Sequence, residues 1–173
     1  MQVTPQHTVS EIQNQGEFFD LALQRYSFEK KWQHKPLSMA CSRMGVNTDF
    51  VMDMLKAFNL EIASEKPFAT YPVPIIVDYL RRTHDLYLNK KLPEIEQSLN
   101  HLVYGYQHQE PYLVAIKVLF DRYRQNLVLH IREEEEMFFP LALYLFDRKY
   151  RGGCMSKLYK KLTEYSVNDF VEH

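Results

Sequence analysis

The sequence predicts an all-α chain, built as a small helical module followed by a helix bundle. Three observations carry that expectation. Apolar residues recur at helical intervals over long stretches. Only five glycines occur in 173 residues, too few for the tight turns of an all-β chain. Prolines and turn residues collect between the periodic stretches instead of inside short alternating runs. With 46% apolar and 25% charged residues, the chain can bury a sizeable core.

Thr8 or Ser10 can cap a first helix over Glu11 to about Arg25, whose buried face would hold Ile12, Phe18, Phe19, Leu21, Ala22 and Leu23. Pro36 opens a short helix carrying Leu37, Met39, Ala40 and Met44, and Gly45 ends it. Asn47 or Thr48 caps a third, with Phe50, Val51, Met54, Leu55 and Phe58 as its stripe. These three helices form the expected module, residues 1–60. A linker over 61–74 follows, carrying Pro67, Pro72 and Pro74.

From about residue 74 to 104 the apolar positions Ile75, Ile76, Tyr79, Leu80, Leu86, Leu88, Leu92, Ile95, Leu99, Leu102 and Val103 predict one long helix. Pro93 lies inside it, which predicts a bend or restart near Lys91 and Leu92. Gly105 and Pro111 end it. A second long helix is expected from about Tyr112 to Leu145, interrupted near its end by Pro140. After a turn at Arg151 to Gly153, a short amphipathic piece (Met155 to Thr163) and the start of another helix (Val167 to His173) complete residues 75–173.

Charge and cysteine usage exclude several classes of function. Lys and Arg number 21 against 22 Asp and Glu, a formal charge of -1, so no overall field draws the chain to nucleic acid or to an anionic membrane. Cys41 and Cys154 form no CxxC pair, which excludes a zinc ribbon and fits a reducing compartment. No apolar run reaches a membrane span and the amino end lacks a signal pattern; the expectation is a cytoplasmic protein.

The chemically informative stretch is HIREEEEMFFP, residues 130–140. His130 and Glu134 are four apart and project from one helix face, a spacing that suits metal ligation. Imidazole and carboxylate donors repeated on neighbouring bundle helices can surround two iron or manganese ions. The alternative is that Glu133 to Glu136 form a solvated acidic face. The flanking Leu127, Val128, Ile131, Phe138 and Phe139 place His130 toward the core side. His84 lies on the interior side of its helix, where a histidine is more often a satisfied core group. His101 and His108 lie near the end of that helix and in its loop.

Together, RTHDLYLNKKLPEIE and HIREEEEMFFP resemble the hemerythrin-like di-iron proteins of the RIC type, "repair of iron centres". The likeness covers nearly the whole chain, since TVSEIQ, RYSF and PLSMACSRMGVNTDFVMDML resemble the family's leading ScdA-N module. The resemblance implies that His84, His130 and Glu134 bind two iron ions, with Glu134 as a bridging carboxylate. His173 corresponds to the family's third-helix histidine. For the loop ligand His108 is the better candidate and His101 the weaker, with Tyr106 at the ungapped position. The implied function is repair of iron–sulfur clusters damaged by nitrosative or oxidative stress, with damaged iron–sulfur proteins as partners. Two departures stand out. The family's adjacent cysteine pair is replaced here by roughly Lys31 and Trp32. Its second HxxxE lies on a fourth bundle helix that these residues do not reach, so the expected bundle is incomplete at its carboxyl end, with an open face suited to a second copy. Two other readings stay open: a metal-free helical interaction module, in which His84 and His130 are core residues, and an oxygen-binding hemerythrin.

Overall fold

The structure, a computed structural model, describes residues 3–28, 30–58, 68–106 and 108–151. Among them every regular element is helical, and the only strand-like feature is an isolated bridge between Thr8 and Pro36. The chain is all-α, as its sequence predicts. It divides into two compact units, Met1–Gln125 and Asn126–His173.

The first unit begins with two helices where one was expected: α1 (Val9–Gln13) and α2 (Glu17–Gln24). Helix α1 starts in a capping box. The Glu11 N–H donates to Thr8 Oγ1 at 3.2 Å, and Glu11 Oε2 accepts from the Thr8 N–H at 2.7 Å. The predicted single helix is broken at Gly16, whose extended backbone lets the chain restart as α2. Apolar spacing alone hides this break, because Ile12, Ala22 and Leu23 all reach the same core. Helix α3 (Leu37–Arg43) ends before Gly45, whose φ of 67° is a conformation that costs glycine least. In α4 (Thr48–Phe58), Asn47 is the cap, its Oδ1 accepting the Phe50 N–H at 2.8 Å.

The core of this unit is the cluster of Val9, Ile12, Leu23, Tyr26, Leu37, Cys41, Val51, Met54 and Leu55 with smaller neighbours, all drawn from the first 55 residues. Aromatic contacts tie it to the helix that follows. Phe50 meets Tyr71 edge-on at 5.0 Å and Tyr79 at 5.4 Å between centroids. Tyr71 Oη donates to Asp53 Oδ2 at 2.6 Å. The guanidinium groups of Arg82 and Arg25 each lie 5.8 Å from an aromatic centroid, those of Tyr26 and Tyr79. Residues 61–67 of the expected linker lie outside the described residues, and Phe68–Thr70 form a short 3-10 turn.

Helix α5 (Val73–Leu86) passes into a π-helical segment, Tyr87–Lys91, and continues as α6 (Leu92–Tyr106). Here the sequence predicts a bend or restart, and one physical cause of the irregularity is Pro93. An α-helical turn would press its ring against the carbonyl four residues back, at Asn89, and leave that carbonyl without a donor. A wider turn removes the clash, with the Leu92 N–H donating five residues back to the Tyr87 carbonyl. The helix then runs through Gly105 to Tyr106, one residue beyond the predicted stop. From α7 (Tyr112–Glu133), Arg124 Nη1 reaches Glu96 Oε1 of α6 at 3.2 Å, and Lys117 Nζ approaches the same oxygen at 3.9 Å.

The boundary between the units falls inside α7. In the second unit, α7 passes into another π-helical segment, Glu134–Phe138, and then into α8 (Phe139–Arg151). Pro140 stands to this segment as Pro93 does to the first, and the Phe139 N–H donates to the Glu134 carbonyl. Helix α8 outlasts the expected end at Leu145, with the rings of Phe146 and Tyr150, one turn apart, in tilted contact at 4.7 Å between centroids. The amphipathic piece expected over 155–163 and the last helix over 167–173 lie outside the described residues.

Candidate metal-ligating residues

Both π segments solve one geometric problem. His84 and Leu92 are eight residues apart, and both are buried, at 8% and 4% exposure. On an uninterrupted α-helix that spacing leaves them about 80° apart around the axis. One residue absorbed by a π turn makes the effective spacing seven and closes the angle to about 20°. Ile131 and Phe139 repeat the arrangement in the second unit, eight apart, both buried, with a π segment between them. The pattern of a buried residue, a π turn, and a buried residue followed by proline thus occurs twice. In the second unit both members, Ile131 and Phe139, are apolar; in the first, the leading member is the polar His84, so apolar periodicity does not mark that pair.

The candidate ligands fall around these segments. His130 and Glu134 are brought together: His130 Nε2 lies 3.4 Å from Glu134 Oε1, with Glu134 about one-quarter exposed. Glu134 is also the first residue of the second π segment, and its carbonyl accepts the wide-turn bond. The expectation that His130 faces the core is corrected. Its side chain is 63% exposed, because the neighbouring Ile131, about 100° further round the helix, takes the inward position. Glu136 pairs with Arg132 at 2.9 Å, both exposed, so that part of the acidic run is a solvated face.

Among the described residues His84 is the buried polar side chain, three positions ahead of the first π segment. His108 is exposed in the turn between α6 and α7, and His101 and Tyr106 are exposed near the end of α6. His173 lies outside the described residues. Among the described residues no group of three or more His, Cys, Asp or Glu side chains is assembled to hold a metal ion. What is present is a nitrogen and an oxygen donor side by side on consecutive turns, a donor set that suits iron or manganese as one edge of a site. Cys41 is sealed in the module core, and burial pushes its thiol up to about 11, which makes it a packing residue instead of a ligand.

No protein-family model matches the chain, and no curated protein or solved structure shows significant similarity to it. Among the described residues, no helix is long and apolar enough to cross a membrane.

Proposed function

We propose that the chain is a cytoplasmic hemerythrin-like di-iron protein that acts in repair of iron–sulfur clusters damaged by nitrosative or oxidative stress. The observation that carries this reading is the His130–Glu134 pair, 3.4 Å apart at the mouth of a proline-held π segment. Such segments inside α-helices recur at functional sites. In this reading His130 supplies a neutral imidazole nitrogen and Glu134 a carboxylate able to bridge two cations, with His84, His108 and His173 as the further donors that the RIC resemblance implies. When bound, two bridged irons supply redox change and affinity for small oxidants. The chain's own contribution is to hold His130 and Glu134 in fixed relation on one rigid helix, so that little ordering is left for the moment of binding.

The test is metal content by elemental analysis after purification without chelator, on this chain and on a version extended beyond His173, beside a His130→Ala, Glu134→Ala double variant. About two irons per extended chain, lost in the double variant, supports the proposal. Iron in neither chain, or iron unchanged in the double variant, refutes it.

A specific observation favours one other reading, a metal-free helical interaction module. Within the first unit, α7 leaves Tyr112, Ile116, Leu119 and Tyr123 exposed at intervals of three and four residues, and α6 leaves Ile95 and Leu102 exposed. A chain that is iron-free but self-associates with rising concentration would support that reading.

A further inference from the structure

A cavity of about 310 Å³ opens in the first unit, and no candidate metal ligand lines it. It is lined by the end of α2 and the turn after it on one side, and on the other by the last residues of α5 with the first π segment. Its volume stands at the small end of the range for ligand pockets. One wall carries charges of both signs. Asp85 is exposed, with Oδ1 accepting from Asn89 Nδ2 at 3.1 Å, and Lys90 stands one turn further on. Neither Asp85 nor Lys90 has an ion pair among the described residues.

The opposite wall is polar and uncharged. Gln24 lines the cavity, and one of its two amide N–H groups donates to Asp20 Oδ2 at 2.8 Å, while Gln13 donates one of its own to Asp20 Oδ1 at 2.7 Å. One carboxylate thus fixes two carboxamides, each through one of its two N–H groups. Gln24 Oε1 is buried with no partner among the described residues, a condition native proteins seldom leave unmet. Ser27, also on the lining, holds φ at 45°, a costly conformation for a residue with a side chain. Between the two walls Leu23, Phe28 and Leu86 supply apolar surface.

We propose that this cavity binds a free α-amino acid with an apolar side chain. Lys90 takes the ligand's carboxylate and Asp85 its ammonium. Phe28 and Leu86 receive the side chain. A lone anion would meet Asp85, and a lone cation would meet Lys90; a zwitterion of this size satisfies both. The proposal stands apart from the iron reading, since it uses none of the same residues.

The experiment is isothermal titration of the intact chain with L-leucine and L-phenylalanine, and with their amides and N-acetyl derivatives, backed by amide chemical-shift mapping. The expected result is saturable binding of at least one amino acid, with shifts centred on residues 23–28 and 85–90. Affinity should fall at least tenfold in Asp85→Asn and again in Lys90→Gln. Both positions are exposed, and circular dichroism confirms that each variant is folded. Absence of saturation by both amino acids at millimolar concentration overturns the proposal. So does equal binding of the amide or N-acetyl derivative, because the site would then not read a zwitterion.

Discussion

Deleting Asn89 from the first π segment probes why that segment exists. The deletion makes the spacing between His84 and Leu92 seven. A regular α-helix would then keep the two about 20° apart, so burial of Leu92 is not lost. What is lost is the wide turn that accommodates Pro93. With the proline ring driven against the carbonyl four residues back and that carbonyl undonated, the cost is about 3 kcal/mol. Adding Pro93→Ala removes the clash and should restore most of the stability, a coupling of about 3 kcal/mol between two changes that each alter one residue. Pro93→Ala alone should cost little, because the π turn persists for as long as Leu92 is worth about 2 kcal/mol where it is buried. The assay is urea unfolding followed by far-ultraviolet circular dichroism, with Asn89→Ala as the control for the exposed bond to Asp85. In a chain of this length, 3 kcal/mol corresponds to a fall in Tm of about 6–12 °C. A deletion no more harmful than Asn89→Ala, or one that Pro93→Ala fails to rescue, would refute the argument that proline accommodation and face continuity fix the segment.

Tyr26 is 1% exposed, and its hydroxyl is buried with no partner among the described residues. Tyr26→Phe should therefore leave stability unchanged or raise it by about 1 kcal/mol, measured by urea unfolding; a loss beyond that size would show that the hydroxyl is bonded. Burial also raises the Cys41 thiol to about 11, so it should resist alkylation at pH 8 in the native chain and react at once in denaturant. Asn47→Ala should cost about 1 kcal/mol by removing the cap of α4. The hydrogen bonds from the Thr8 N–H and hydroxyl hold the Glu11 carboxyl below its usual range. A group whose pKa is depressed on folding contributes stability above its unfolded pKa and loses it as pH falls through the folded value. Stability should thus decline on acidification through the carboxylate range, less steeply in Thr8→Ala, as read by unfolding at a series of pH values.

The class of the chain, and its punctuation, were plain in the sequence because they rest on local chemistry. Gly45 after α3, Asn47 before α4, and the two interior prolines each act within one turn of helix. The break at Gly16 was not plain. The residues on either side of it pack into one core, so their spacing looks continuous. Of the candidate ligands, the relation of His130 to Glu134 follows from the rise of a single helix, and their proximity could be read directly. Which way His130 faces depends on tertiary packing, and there Ile131 takes the inner position. The cavity was invisible beforehand for the same reason: Gln24 and Asp85 are sixty-one positions apart, and no periodicity links them.

The buried cluster of the leading module is drawn from residues 9–55, and Tyr79 of α5 packs against it from outside. Contacts so near in sequence close with little loss of loop entropy. On the ribosome, all the side chains this core requires have been made while α5 to α8 are still to be translated, so it can form during synthesis. Tyr71 and Tyr79 would then meet a surface already in place at Phe50. The amino-terminal third of the chain is in this sense the template on which the later helices are laid down.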